Sequence, residues 1–420
     1  MSHPLYFLCP HCKEEDTLAG SRCRNCGVPI QFQGLNLIVD GKLFTPKVYY
    51  AWLENQIRVV ASGSSWKENR EDLKVLRSSD PGVLYQFRRH IEFSGYRRWF
   101  RRRLEVPEKL ARGRLHLLAE EARFQAENGR LWRWPLPQFT CITTDGHYFQ
   151  FKLQGEPAFQ IHFKQESPLK YELVFRRWLR EYYARQGREP VEFQPHLRFQ
   201  LPRPPGPLLV ASTQSAAPTP PWERLVLRLV RLLVRLVLKP WLRLEVAGRE
   251  NWHRGLPGVV IANHQSALDP FILGAYVDAE VAFLTKSSSF AHPVPRLFLR
   301  LVRGLPTTRY QIDAPVIGLV RTMLSRGQRV GIFPEGERTW SGHLRPFKLG
   351  TVRLLMALGQ PIFPVYFRGA FDFWPRWRHF PRRARVRLTI GAPFCLLPGR
   401  PVAEQQAFLK AQFRENICSK

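Results

Sequence analysis

The sequence predicts an α/β domain in its C-terminal half, behind a small four-cysteine module and an α+β region. Three observations carry that reading. Two Cys-x-x-Cys steps fall within the first thirty residues, turn-forming dipeptides punctuate residues 117–163, and apolar strands alternate with helical stretches after Leu242. At 420 residues the chain exceeds what one ordinary core organises, so two or three domains are expected. Its 29 Phe and 12 Trp allow sizeable cores and exclude global disorder.

The formal charge is +30, and residues 222–420 hold 31 Lys/Arg against 12 Asp/Glu. Such a surface seeks polyanions: nucleic acid, anionic lipid or a phosphorylated substrate. Met1 leads into the cysteine-rich stretch without an apolar run, so no signal peptide is expected. No uninterrupted apolar run reaches the ~20 residues a spanning helix needs. Four of the seven cysteines sit in pairs, which fits a reducing cytosol and a metal site better than a disulfide framework.

Residues 1–35 form the first element. Cys9-Pro10-His11-Cys12 and Cys23-Arg24-Asn25-Cys26-Gly27 are ten residues apart, and two such knuckles place four thiolates at the corners of a tetrahedron that suits Zn²⁺. The alternative is four unligated thiols in a loop; a redox role lacks the strand-turn-helix context. This stretch resembles the zinc-ribbon family, which implies a structural Zn²⁺ on Cys9, Cys12, Cys23 and Cys26.

Residues 40–200 read as a second, accessory α+β domain. Leu117, Phe124, Trp132, Trp134, Ile142, Phe149, Phe151, Phe159, Ile161 and Phe163 lie in short segments broken by Asn128-Gly129, Asp145-Gly146 and Gly155-Glu156-Pro157. Leu169 to Tyr183 then predicts an amphipathic helix. Consecutive antiparallel strands with one closing helix resemble a pleckstrin-homology (PH) or GRAM-type domain; an unrelated α+β domain fits the same pattern. Upstream, Arg88-Arg89-His90 and Arg97 to Arg103 mix cations with aromatics, as membrane-facing, nucleic-acid and merely solvated surfaces all do. Residues 202–221 are rich in Pro, Ser, Thr and Ala and read as a linker.

Residues 222–240 predict an amphipathic helix. Arg224, Arg228, Arg231 and Arg235 recur at steps of four, three and four, which confines them to one stripe; leucines and valines fill the rest, and Pro240 ends the run. Four arginines make a spanning position costly. An in-plane position is expected instead, with guanidinium groups on lipid phosphates, or a helix packed on the following sheet with snorkelling arginines.

Residues 241–420 carry the chemistry. Strands are expected at Arg243–Val246, Gly258–Ala262, Val281–Thr285, Gln328–Phe333, Pro361–Phe367 and Val386–Ile390, with helices at Pro315–Arg326 and Gly350–Leu358. In an α/β sheet, active loops sit at strand ends. His264 follows one strand, and Asp269, five residues on, can reach back to an imidazole nitrogen and leave the other to take a proton from a hydroxyl. The interval alone is weak, because His11 and Asp16 repeat it in the cysteine module. After a second apolar strand, Pro334 and Gly336 form a turn presenting Glu335 and Arg338; the guanidinium suits a phosphate, and Glu335 suits substrate hydroxyls or a basic neighbour.

Asn263, His264 and Asp269 match the Asn-His-x4-Asp motif of the glycerolipid (lysophosphatidate-type) acyltransferase family, and Phe333 to Thr339 match its Phe-Pro-Glu-Gly-x-Arg-Ser/Thr motif. Phe347-Lys348-Leu349-Gly350 and Pro361-Ile362-Phe363-Pro364-Val365 follow as in that family; Leu305 to Arg309 match its remaining motif loosely. Residues 242–400 thus resemble this family. The resemblance implies His264 as general base, Asp269 as its orienting partner, and Lys286, Arg309 and Arg338, with Asn263 and the Glu335–Gly336 turn, on the acceptor side. It implies acyl-CoA or acyl-carrier protein as donor, a lysophospholipid (above all 1-acylglycerol 3-phosphate) as acceptor, and no catalytic metal. A cytoplasmic protein, peripheral on an anionic inner membrane face, is expected. The competing readings are a different acceptor (glycerol 3-phosphate or a lyso-aminolipid), a non-catalytic lipid-binding scaffold, and nucleic-acid binding, which leaves the ordered motifs unexplained.

Overall fold

Two units divide the chain in the computed structural model, which describes residues 3–59, 75–95, 100–188, 221–253, 255–278, 280–308, 313–397 and 399–418. One comprises Met1–His90 and Glu105–Phe193, the other Ile91–Leu104 and Gln194–Lys420. The expected linker at 202–221 lies, apart from its last residue, outside the described residues, as do Arg97, Arg98 and Trp99 of the basic run.

The first unit opens with short antiparallel pairs: β1 (Leu18–Ala19) with β2 (Arg22–Cys23), then β3 (Ile30–Gln33), β4 (Asn36–Val39) and β5 (Lys42–Phe44). Thr45 caps α1 (Pro46–Gln56) by accepting from the Val48 N–H, and Pro46 begins the helix where no backbone donor is needed. A larger antiparallel sheet follows, made of β6 (Arg77–Ser78), β7 (Gly82–Ser94), β8 (Arg101–Leu117), β9 (Glu121–Ala126), β10 (Leu131–Pro135), β11 (Phe139–Asp145), β12 (Tyr148–Leu153) and β13 (Phe159–Phe163). Its order is β10-β9-β8-β7-β13-β12-β11, with β6 on β8. The expected closing helix is present as α2 (Pro168–Arg185), which packs Tyr171 on Phe163 and Phe175 on Phe139 and Phe149.

The two longest strands, β7 and β8, were not among the expected ones. Arg88, Arg89, Arg101 and Arg103 are exposed on them, so charge hides the alternation that buries Ala111, Leu115 and Leu117. Asp16, in the second His-x4-Asp interval, bonds Lys170 Nζ at 2.6 Å, and Arg77 bonds Glu15 beside it. That copy of the interval is spent on structural ion pairs.

The second unit is built on a mixed sheet of β14 (Leu242–Ala247), β15 (Gly258–Ala262), β16 (Ala282–Lys286), β17 (Leu305–Thr307), β18 (Arg329–Ile332), β19 (Ile362–Arg368) and β20 (Ala384–Ile390). The order is β14-β20-β19-β15-β18-β16-β17, parallel throughout except for β19 against β20. Helices α3 (Pro221–Leu238), α4 (Asp269–Tyr276), α5 (Pro293–Leu301), α6 (Ala314–Ser325), α7 (Leu349–Leu358), α8 (Ala370–Phe373) and α9 (Val402–Cys418) complete it. Along β15, Val259 and Ile261 enter a core shared with α6, α7 and α9, while Val260 and Ala262 enter one shared with α3, α4 and α8. A strand buried on both faces reads as a continuous apolar run, which is why Val259 to Ala262 was legible.

Arg102, in Ile91–Leu104, pairs with Asp313 at 2.6 Å and donates to the Pro306 carbonyl. Asp313 in turn accepts the Thr308 and Val316 N–H groups, so it joins the end of β17 to the start of α6. Phe93 stacks edge-on against buried Phe290.

Helix α3 differs from expectation in where its cations go. Arg231 and Arg235 both donate from Nε to the Ala275 carbonyl near the end of α4, at 3.1 and 2.9 Å, where a helix leaves carbonyls unpaired and carries partial negative charge. Leu227, Val234 and Leu238 turn inward with them. Leu225, Leu229, Leu232, Leu233, Leu236 and Val237 are all exposed. Among the described residues no helix is long and apolar enough to cross a membrane.

Candidate active site

β15 and β18 are parallel and adjacent, with Ile261 opposite Ile332. Residues just beyond those two strand ends therefore meet although about seventy positions separate them. His264 sits past one end and Phe333 to Glu335 past the other. Their rings stack at 4.0 Å between centroids and 16° between planes. Phe333 itself rests near Phe283 of β16, which lies over Gly331; a Cβ at Gly331 would come within 2.3 Å of that ring. The glycine is a spatial requirement of the stack.

His264 Nδ1 lies 2.9 Å from Asp269 Oδ2. The same oxygen accepts the N–H groups of Gln265 and Ser266 at 2.7 and 2.8 Å, and Asp269 is fully buried at the start of α4. Three donors on one oxygen hold the carboxylate rigidly. With Nδ1–H donating to it, the ring's lone pair sits on Nε2, the form a general base requires.

Glu335 is the second buried carboxyl. Oε1 accepts the His264 N–H and Oε2 accepts the Arg345 N–H, each at 2.7 Å, so this side chain ties the strand end that carries the imidazole to the Phe333–Thr339 turn. The Thr339 N–H returns a bond to the His264 carbonyl at 2.9 Å. Burial pushes the Glu335 carboxyl up to about 8, and the two N–H groups pull against that shift. A glutamine here accepts at only one of the two positions, whether or not the native carboxyl is ionised. Glu335→Gln is expected to cost about 1–3 kcal/mol of stability, because one N–H is left buried without an acceptor. Because the folded chain holds this proton more tightly than the unfolded one, Glu335 erodes stability as pH climbs from 4.5 to about 8. Urea unfolding across that window is expected to show the slope in the native chain and lose it in the variant.

Asn263 bonds the Phe367 backbone in both directions, Nδ2 to its carbonyl at 2.9 Å and Oδ1 from its N–H at 2.7 Å. Its amide extends the β15–β19 ladder by one rung. Gly336 holds φ +74° and closes the turn through its N–H to the Phe333 carbonyl. Arg338 is half-buried, and Lys286 ends β16 opposite Thr307 of β17. Arg309 lies outside the described residues.

The sequence reading passed over Glu337, Arg345 and Arg376. Glu337 is buried between Arg345 at 2.8 Å and Arg376 at 3.3 Å; Arg376 also lies over the Trp340 ring and donates to the Arg338 carbonyl. The set braces the turn from behind. Its only trace in the sequence is a second carboxylate in Glu335-Gly336-Glu337-Arg338, with no spacing that points to Arg376.

In the first unit, the Sγ atoms of Cys9, Cys12, Cys23 and Cys26 all lie within 4.8 Å of one another. Cys9–Cys26 and Cys12–Cys23 are 3.9 and 3.8 Å apart. A tetrahedron with Zn–S bonds of about 2.3 Å has edges of about 3.8 Å, so these separations fit a Zn²⁺ at the centre. Backbone N–H groups of His11 and Cys12 reach the Cys9 sulfur, and those of Asn25 and Cys26 reach that of Cys23. Lys13 and Gly27, directly after each pair, both adopt left-handed backbone and close the same turn. Two equivalent knuckles face one point.

Residues 243–368 match the family described as Acyltransferase. The chain is 29% identical over 150 residues to a chloroplastic 1-acyl-sn-glycerol-3-phosphate acyltransferase of Brassica napus, covering 35% of this chain and 43% of that one. It is 28% identical over 156 residues to the 1-acyl-sn-glycerol-3-phosphate acyltransferase of Borreliella burgdorferi, covering 36% and 62%. The chain thus spans about half the length of these curated relatives. Among solved structures, the 1-acyl-sn-glycerophosphate (LPA) acyltransferase PlsC of Thermotoga maritima aligns at TM-score 0.41 and 21% identity, over 46% of this chain and 80% of that one.

Proposed function

We propose, from the acyltransferase domain in the C-terminal half, that the chain moves a fatty acyl group from a thioester donor to the hydroxyl of a phosphate-bearing lysolipid, 1-acylglycerol 3-phosphate first among them. One observation carries this: a buried, triply bonded Asp269 holding His264, locked by Glu335 to the arginine-bearing turn. In the reaction, Nε2 of His264 takes the acceptor proton as its oxygen attacks the thioester carbonyl. The tetrahedral intermediate collapses, the C–S bond breaks, and the imidazolium returns the proton to the leaving thiolate. Ester and free thiol are the products, with no acyl-enzyme. Lys286, Arg309 and Arg338 bind the acceptor phosphate, beside the Gly336 turn. Asn263 and Glu335 act through position, given their backbone bonds.

The membrane reading is supported by α3. Six exposed aliphatic side chains each gain about 1.5–3 kcal/mol on full burial, so a lipid surface is their natural cover, with Arg228 on the phosphates. We read the chain as peripheral on a cytoplasmic membrane face. The four cysteines hold a structural Zn²⁺, and the antiparallel strands with α2 support a PH- or GRAM-type accessory module.

The test is acylation by the full chain, with acyl-CoA and acyl-carrier protein as donors and lysophosphatidate, glycerol 3-phosphate and a lyso-aminolipid as acceptors. Thioester-dependent product from lysophosphatidate is expected. Product from another acceptor alone moves the substrate assignment; none from any acceptor, with lipid binding intact, leaves the scaffold reading.

A further inference from the structure

Helix α5 is built inside out. Val294, Leu297 and Phe298 recur at one, four and five, the spacing that normally faces a core, yet they are 78%, 59% and 41% exposed. Leu299 packs inward instead, beside Phe290, and Phe298 touches Phe271 of α4. Arg296 and Arg300 line the flank, one turn apart and half-buried. An apolar face turned to solvent and bordered by cations matches a bilayer with anionic headgroups.

The position of α5 adds function to that face. It is the crossover between β16 and β17, neighbours in which Lys286 pairs with Thr307. A short turn, Ser287–Phe290, links Lys286 to it, and the chain returns from it to Leu305 at the start of β17. Lipid seated on α5 therefore presents its headgroups beside Lys286, one of the proposed phosphate ligands. The geometry points to α5 as the acceptor-side membrane contact, through which a lysolipid passes its headgroup to the site while its acyl chain stays in the bilayer. Helix α3, held to the far end of α4 through Ala275, anchors the protein; α5 admits the substrate. This assignment rests on the acyl-transfer reading for its second half only.

The test is the double variant Val294→Glu/Leu297→Glu in the full chain, which leaves the Phe298–Phe271 contact in place. Both side chains are exposed, so the thermal midpoint is expected to stay unchanged. Two readouts separate the ideas. Flotation with phosphatidylcholine/phosphatidylglycerol vesicles reads the surface itself, and loss of two apolar contacts is expected to lower partition about tenfold or more. Turnover of long-chain lysophosphatidate in those vesicles is expected to fall at least as far, while a short-chain, water-soluble acceptor without vesicles is acylated within about twofold of the native rate. Unchanged flotation overturns the contact. Equal losses on soluble and vesicle-borne acceptors overturn the entry role. A native dimer that the variant dissociates makes the face a protein interface instead. Native protein inactive on every acceptor refutes the acyl-transfer reading, and flotation still decides the surface.

Discussion

His264→Ala is expected to lower acyl transfer about 10³-fold, within the 10²–10⁴ range that a positioned general base contributes, with the acceptor KM little changed. Its backbone bonds to Glu335 and Thr339 survive the substitution, so the turn keeps its frame and the loss is catalytic. Asp269→Asn makes the sharper companion. Two backbone N–H groups fix an oxygen at the Oδ2 position, so an asparagine keeps its carbonyl there and leaves its NH₂ where buried Oδ1 now has no hydrogen-bond partner among the described residues. The imidazole tautomer is retained and only the charge behind it disappears. Turnover is expected to fall about 10²-fold, less than for removing the base, because the carboxylate stabilises the imidazolium without taking the proton. Native turnover in both variants removes the mechanism; steady-state kinetics on the two proteins beside the native chain decides it.

Removal of metal from the four-cysteine cluster has the largest expected effect on stability. Structural zinc sites contribute about 10–16 kcal/mol of binding free energy that is also folding free energy. The full chain is expected to purify with about one Zn²⁺ bound per molecule. A strong chelator, or the paired substitution Cys9→Ser/Cys12→Ser, is then expected to open residues 1–35 to proteolysis. The buried bonds of Glu15 to Arg77 and Asp16 to Lys170 lose their register with it, since both carboxylates sit in the turn after Cys12. A metal-free chain with the same protease pattern as the loaded one refutes the structural role.

Legibility followed periodicity. Strands buried on both faces, such as Val259 to Ala262, and turn motifs with obligatory glycine stand out in a linear reading because local chemistry alone accounts for them. The His264–Asp269 interval was legible for the same reason: both residues lie within one strand-to-helix turn. What escaped was set by partners distant in sequence. Glu337 meets Arg376 across thirty-nine positions, and Arg102 meets Asp313 across two hundred and eleven. For the arginines of α3, lipid phosphate and a packed helix with snorkelling cations stayed open together, because one stripe of cations on an apolar helix looks the same whether it faces phosphate or the carbonyl end of another helix. Only the fold distinguishes Ala275 as the acceptor of Arg231 and Arg235.

The Arg102–Asp313 pair has a practical corollary for anyone trimming this protein. A fragment begun at residue 221 contains every acyltransferase motif and still lacks Arg102 and Phe93. Asp313 would then face Thr308 and Val316 without its cation, and Phe290 would lose the ring that covers it. Borders drawn from motif matches alone cut through the molecule's own framework.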